Sequence, residues 1–148
     1  MPEPLSITTG VLSILNVCVK VGYELRVFHN NTKIVDEAVG ELGKDVESLK
    51  QTLEAVRETL EQTDGDSHTQ QTGHLGSHWR NIQQALESGE MTLLKLETVL
   101  QQVNKEVSFL NAPRKQLRLQ AASDRIAIFR SQIQCSRDVL NTSLQSFI

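Results

Sequence analysis

Three histidines and two aspartates lie close together in one polar segment, and these are residue types that bind metal ions. The segment contains Asp64, Asp66, His68, His74 and His78. Because His74 and His78 are four residues apart, a helix would place both imidazoles on one face, as a pair of zinc ligands requires. The surrounding residues are mainly Gly, Ser, Thr and Gln, with neither a cysteine nor a second ligand pair. We therefore interpret the histidines as part of a solvated loop and predict no metal and no cofactor.

The sequence contains no recognisable catalytic motif. A phosphate-binding glycine loop, a nucleophile elbow, a Cys-x-x-Cys pair and a His-Glu-x-x-His pair are all absent. The two cysteines, Cys18 and Cys135, stand among apolar residues, which is typical of small hydrophobes in a reducing compartment. A single disulfide between them is the alternative that two cysteines leave open. We predict a non-enzymatic protein without catalytic residues.

The composition favours one helical domain. A chain of 148 residues corresponds to one domain, and its 3 prolines and 8 glycines are too few for the frequent turns of an all-β fold. The formal net charge of −3 argues against a dedicated nucleic-acid binder, since such proteins carry a strongly basic surface. No basic residue precedes Lys20, so the start lacks the positive region of a signal peptide, which predicts a cytoplasmic protein.

Apolar residues recur with alternating spacings of four and three in four segments, and we call the resulting faces the seams. This spacing keeps the side chains on one face of an α-helix, and its mean period of about 3.5 residues is that of left-handed helix packing. The first two seams consist of Ile7, Val11, Ile14, Cys18, Val21, Leu25 and Phe28, and of Val35, Val39, Leu42, Val46, Leu49, Leu53, Val56 and Leu60. The other two consist of Leu75, Trp79, Ile82, Leu86, Leu93, Leu96, Leu100, Val103, Val107 and Leu110, and of Leu119, Ala122, Ile126, Phe129, Ile133, Leu140 and Phe147. Gly89 interrupts the third seam and Ser136 interrupts the fourth.

The seams predict an all-α fold, an elongated antiparallel four-helix bundle of up-down-up-down topology with left-handed heptad-like packing. Polar or proline-containing segments separate the four helices. The whole chain, residues 1–148, is then a single domain. We expect helices at about 4–28, 32–62, 76–110 and 114–146, and a flexible loop at 63–75.

The first helix is apolar around nearly its whole circumference. Such a helix is normally buried on several sides, so one interpretation makes it the central helix of the bundle. In the alternative, the helix leaves the bundle to enter a membrane or a partner's groove. Gly10 and Gly22 would ease that release, because each costs a helix about 1 kcal/mol relative to alanine. The candidate membrane or partner residues are Leu5, Ile7, Val11, Leu12, Ile14, Leu15 and Val19.

Charge is divided unevenly between the second and fourth helices. Residues 36–66 contain ten acidic and three basic residues, a net charge of −7, whereas residues 113–148 contain six basic and two acidic residues, a net charge of +4. One interpretation is that these helices lie side by side and attract each other, each exposed pair contributing about 0–1 kcal/mol. In the other interpretation, the bases bind acidic lipid headgroups. The candidate basic patch consists of Arg114, Lys115, Arg118, Arg125 and Arg130.

Four features along the chain carry a resemblance to a known family. The chain opens with Pro4-Leu5-Ser6-Ile7 followed by TTGVLSILNVCVKV, and its second helix is long and acidic with a Leu/Val seam. Trp79 opens the third helix, and the closing helix reads RIAIFRSQIQCSRDVLNTSL. In these features the chain resembles the fungal N-terminal domains attached to NLR-like (STAND) proteins, a group related to the HeLo-like helical domains. The resemblance covers essentially the whole chain.

The resemblance implies a function as well as a fold. It implies a helical bundle that precedes a nucleotide-binding module, and a role in non-self recognition, heterokaryon incompatibility and regulated cell death. The N-terminal helix of some members is thought to act on membranes, and similar domains also occur in proteins of secondary-metabolite clusters. Because this chain ends at Ile148 without a nucleotide-binding motif, we expect either an excised domain or a stand-alone relative.

Two hypotheses of function follow. In the first, the chain is an effector domain that oligomerises in the cytoplasm and, after activation, acts on an anionic membrane through its first helix. In the second, it is a helical adaptor that pairs with itself or with another helical protein without membrane activity. Neither hypothesis involves a cofactor or a nucleic acid.

Overall fold

The described residues are helical apart from short turns, and they contain no strand. The computed structural model describes residues 4–31, 37–63 and 73–145, and within them the side chains of 9–31, 37, 39–61 and 80–145. The helices are α1 (Pro4–Asn31), α2 (Glu37–Thr63), α3 (Gly73–Val107), α4 (Ala112–Ala127) and α5 (Phe129–Gln145). The prediction of an all-α protein is confirmed.

The long polar segment between the second and third helices is shorter than expected. Helix α2 extends to Thr63 and helix α3 begins at Gly73, so residues 63 and 73–75 of the expected loop are helical. The rest of that loop, residues 64–72, lies outside the described residues, as do 32–36, where the second helix was expected to begin. The prediction of a flexible loop therefore stays a prediction.

The boundary between α3 and α4 follows from a short capping sequence. Helix α3 ends at Val107, three residues before the expected end, and residues 108–110 form a turn. The side chain of Asn111 then caps α4, because its Oδ1 accepts a hydrogen bond from the backbone N–H of Arg114 at 3.3 Å. Pro113 lies in the first turn, where its missing N–H costs no helical hydrogen bond.

The expected fourth helix is divided into α4 and α5 by a single residue, Ile128. Ile128 keeps right-handed helical dihedral angles, with φ −62° and ψ −32°. The division is therefore an interruption of regular helical hydrogen bonding within a backbone that remains helical. The sequence did not predict it, because neither glycine nor proline is present and the seam runs through Ile126, Phe129 and Ile133 without a break.

The seams form the core. Every seam side chain that the structure describes is buried, except that Leu110 and Phe129 are partly buried against the core. The seam residues Ile7, Val35, Leu75, Trp79 and Phe147 lie outside the described side chains. Helix α1 packs against α2 and α3, and both α4 and α5 pack against the same two helices. One continuous apolar core thus joins all five helices.

Candidate functional site

The seven candidate residues of the first helix do not share one surface. Val11 and Ile14 are buried in the core, with 0% and 1% of their surface exposed. Leu12 and Val19 point to solvent, with 46% and 58% exposed, and Leu15 is partly buried against the core. The side chains of the other two candidates, Leu5 and Ile7, lie outside the described part of the chain.

An exposed stripe therefore runs along α1 opposite its seam, and we call it the α1 outer stripe. It consists of Leu12, Asn16, Val19 and Tyr23, which recur at spacings of four, three and four residues, so they lie along one face of the helix. Tyr23 is 63% exposed. The interpretation of α1 as a central helix enclosed by the other three is wrong, because this face has no helix packed over it among the described residues.

Polar contacts fix α1 against α3 at two levels. The hydroxyl of Ser13 donates a hydrogen bond to Glu90 Oε1 at 3.0 Å. About three turns further along α1, Asn104 Nδ2 donates to the backbone carbonyl of Glu24 at 3.1 Å and to its Oε2 at 2.8 Å. Because these bonds specify the register of two helices that are otherwise joined by apolar contacts, they hold α1 in place.

Two bases of the candidate patch are engaged by acids of neighbouring helices. Arg118 Nε donates to Glu106 Oε2 of α3 at 2.7 Å, and this hydrogen bond lowers the pKa of the Glu106 carboxyl below its ordinary value of 4.5. Arg130 Nε donates to Asp45 Oδ2 of α2 at 2.7 Å, and its Nη2 lies 3.5 Å from Glu41 Oε2. These two arginines therefore link neighbouring helices through ion pairs.

The Asp45 carboxylate is the most enclosed acid of the described chain, with 7% of the residue exposed. Besides Arg130, the amide of Gln134 donates to both of its oxygens at 3.3 Å. Further along α2 and α5, the Arg137 guanidinium donates to Ser48 Oγ at 3.3 Å. The attraction between an acidic second helix and a basic closing helix, one of the two charge interpretations, is thus present at this interface.

The other three bases of the candidate patch are differently placed. Arg114 and Arg125 are exposed on α4, and Lys115 is partly exposed. Within the described part of the chain, no ion pair involves any of them. The five bases therefore divide into two that bind α2 and α3 and three that remain available to a partner outside the domain.

Several large apolar side chains on α3, on α4 and in the turns that follow them are exposed, although none of them is among the candidate residues predicted from the sequence. Phe109, Leu117 and Ile128 are 82%, 70% and 67% exposed, and Met91 and Leu94 are 60% and 44% exposed. A signal was available in the sequence, because none of these residues belongs to a seam. Apolar side chains that fall outside the packing face of a helix are expected to face solvent.

A shallow groove lies between α3 and the junction of α4 and α5. Its lining combines apolar side chains with two bases. The lining residues are Met91, Leu94, Lys95, Thr98, Val99, Arg125 and Phe129.

Neither cysteine forms a disulfide. Cys18 is buried and Cys135 is exposed. Burial raises the pKa of the Cys18 thiol from 9.0 to about 12, so this sulfur stays protonated and unreactive at neutral pH.

The described residues contain no cluster of three or more His, Cys, Asp or Glu side chains that could hold a metal ion. The side chains of the histidine segment lie outside this search, and the backbone of His74 and His78 belongs to α3, so these two residues are not in a loop as expected. Among the helices of the described chain, none is both long and apolar enough to cross a membrane. Comparison with protein-family models, with curated proteins and with solved structures gave no match to this chain.

Proposed function

We propose that this chain is a non-enzymatic effector or signalling domain of the kind found at the N-terminus of fungal NLR-like proteins. It acts in the cytoplasm, in regulated cell death or non-self recognition, through oligomerisation and through membrane action of its first helix. The family assignment rests on the sequence features described above. The structure contributes the all-helical core and the distribution of exposed apolar side chains.

The observation that carries the proposal is the α1 outer stripe. Leu12, Val19 and Tyr23 remain exposed in the folded domain, although α1 buries the described part of its seam, from Val11 to Phe28, on the other side. Soluble monomeric proteins seldom leave a row of large apolar side chains exposed along one helix, and such rows usually mark a contact with another molecule. The stripe is thus available to a second copy or to a membrane without any unfolding.

The proposed bundle has up-down-up-down topology with left-handed heptad-like packing. Contacts that favour it include the two hydrogen-bond levels between α1 and α3, whose residue numbers rise together, as in parallel helices. Between α3 and α5 the numbers run in opposite senses, since Thr92 contacts Gln132 and Gly89 lies against Ser136. The buried 4-3 seams support the heptad-like packing.

The alternative function is a helical adaptor or oligomerisation module without membrane activity. It is favoured by the burial of Val11 and Ile14, because membrane insertion of the whole helix would first remove α1 from the core. Each large apolar side chain that leaves the core costs roughly 1.5–3 kcal/mol, and a domain is stable by only about 5–15 kcal/mol. An adaptor that uses only the α1 outer stripe avoids this cost.

Leakage of dye from phosphatidylserine-containing vesicles separates the two functions. The domain is fused to a trimerising coiled coil, so that oligomerisation no longer limits the outcome. An effector releases the dye, and the double variant Leu12→Ser with Val19→Ser does not. The matched control, Gln84→Ser with Gln101→Ser on the exposed face of α3, retains leakage. If the fused wild type releases no dye, the effector function is wrong and the adaptor remains.

A further inference from the structure

Helix α4 exposes a second apolar stripe, which we call the α4 outer stripe. It consists of Arg114, Leu117, Ala121 and Arg125 of α4 and of Ile128, the residue that follows the helix, at spacings of three, four, four and three residues, and all five are exposed. On the opposite face of the same helix, the seam residues of α4 are at most 1% exposed. Packing against the core therefore cannot explain the two large aliphatic side chains of the outer stripe.

The surroundings of the α4 outer stripe enlarge this apolar surface. Phe109, 82% exposed, lies in the turn that leads into α4. On the other side, Arg125 shares the α3 groove with Met91 and Leu94, which are also exposed. Five of the nine exposed large apolar residues of the described chain thus lie on α4, next to it or along the α3 groove.

Positive charge accompanies these apolar side chains. Arg114 and Arg125 belong to the stripe itself, and Lys95 lies across the groove from Arg125. Asp124 is the exposed acid beside them on α4. The local balance is thus positive, in a chain whose formal net charge is −3. Arg118 does not contribute, because Glu106 neutralises it.

We propose that the α4 outer stripe is the surface through which the folded domain binds an anionic lipid bilayer. Helix α4 lies parallel to the membrane plane, Leu117 and Ile128 enter the boundary between headgroups and acyl chains, and Arg114 and Arg125 pair with lipid phosphates. A helix with exposed aliphatic side chains flanked by arginines has the features of an interfacial helix. Leu117 and Ile128 are eleven residues apart, about three turns and about 16 Å at ~1.5 Å per residue, so both anchors lie on the same face of the helix.

The positive charge of the α4 outer stripe complements an anionic bilayer and repels a partner surface that is itself positive. The convex face of a single helix also suits a flat, fluid surface, whereas a partner helix needs a groove along its length. Binding in this mode leaves α1 packed in the core. It deepens the proposed function and rests on it, because it names the surface that brings the domain to the membrane before α1 acts.

Co-sedimentation of the whole chain with phosphatidylserine-containing vesicles, and with pure phosphatidylcholine vesicles, tests this inference. We expect the wild type to bind only the anionic vesicles. Arg114→Gln with Arg125→Gln should weaken binding about 30-fold, as two bases at ~1 kcal/mol each imply. The charge-matched control is Lys20→Gln with Arg26→Gln, two exposed bases of α1, and it should bind within about twofold of the wild type.

The double variant Leu117→Ser with Ile128→Ser tests the contribution of the two apolar side chains of the stripe. It should also lose binding while its far-UV circular dichroism spectrum stays helical, because both side chains are exposed. If both α4 variants bind normally, the inference is wrong. If Leu12→Ser with Val19→Ser abolishes binding instead, the membrane contact belongs to α1 and the inference is likewise overturned.

The remaining outcomes separate this inference from the proposed function. If the wild type binds neither kind of vesicle, the inference is wrong. If the same protein then binds a synthetic acidic amphipathic peptide, the α4 outer stripe belongs to a protein partner. Self-association in the absence of lipid is measured independently. It decides the proposed oligomerisation whatever the vesicles show.

Discussion

Gly89 and Ser136, the two residues that interrupt the seams, face each other across the interface of α3 and α5. A Cβ atom at Gly89 would lie 3.4 Å from Ser136 Oγ and 3.5 Å from Ser136 Cβ. Both residues are buried, and each occupies a position where its own seam would otherwise place a larger apolar side chain. Two small residues thus allow the backbones of α3 and α5 to approach each other closely.

We predict that Gly89→Leu destabilises the protein, although it would complete the hydrophobic pattern of α3. The added side chain has no space beside Ser136, and overpacking of a core costs typically about 1–3 kcal/mol. Urea unfolding measures the change. Gly22→Ala is the control, because nothing lies within 4 Å of a Cβ at Gly22, and it should stabilise by about 0.5–1 kcal/mol. Increased stability of Gly89→Leu would contradict the close approach.

Substitutions of Arg130 and of Arg125 should change the free energy of unfolding by different amounts, although both residues belong to the predicted basic patch. Arg130→Ala leaves the buried Asp45 carboxylate with Gln134 as its remaining donor, and an unsatisfied buried group costs about 1–3 kcal/mol. Arg125→Ala removes an exposed side chain and should change the free energy of unfolding by less than about 0.5 kcal/mol. Equal effects in urea unfolding would contradict the division of the patch into structural and available bases.

The pair of Arg118 and Glu106 makes part of the stability depend on pH. The folded pKa of Glu106 is lowered chiefly by the Arg118 hydrogen bond, so its contribution is fully present above the unfolded pKa and is lost as the pH falls through the folded pKa. We expect acidification from neutral pH to destabilise the wild type more than Glu106→Gln. The urea midpoints of the wild type and of Glu106→Gln, compared at neutral pH and at acidic pH, measure the difference. Identical pH dependences would show that the pair contributes nothing.

At the scale of the helices, the 4-3 spacing predicted which faces are buried, because burial of one apolar face is the main requirement on an amphipathic helix. The same spacing did not predict the interruption at Ile128, since no residue there breaks a helix. It also did not divide the basic patch, because Arg118 and Arg130 differ from Arg125 only in what the neighbouring helices place opposite them. Exposed Leu117 could have been identified, since it falls outside the seam.

Substitutions in the middle of the two longest seams measure the core directly. Leu49→Ala in α2 and Leu96→Ala in α3 remove side chains that are 1% and 0% exposed, so each should cost about 2–5 kcal/mol. Gln101→Ala, on the exposed face of α3, should change stability by less than about 0.5 kcal/mol. Thermal and urea unfolding of the three variants provide the comparison. A harmless Leu49→Ala would mean that the α2 seam does not lie in the core.

At the scale of the whole molecule, two helices carry most of the apolar surface that is not buried in the core. The α1 outer stripe carries Leu12, Val19 and Tyr23, and the α4 outer stripe carries Leu117 and Ile128 between two arginines. The first surface has no concentration of like charge and suits a second copy, whereas the second is positively charged and suits an anionic membrane. An oligomer joined through α1 would present several α4 surfaces at once, and their combined binding would exceed that of a single copy.

Sedimentation velocity of the whole chain over a range of concentrations tests the central claim that the exposed face of α1 mediates association. The wild type should sediment as a growing fraction of oligomer as the concentration rises, and Leu12→Ser with Val19→Ser should remain monomeric. The control Leu117→Ser with Ile128→Ser should associate as the wild type does, because it leaves α1 unchanged. A wild type that stays monomeric at every concentration, or an α1 variant that associates as strongly as the wild type, would contradict the claim.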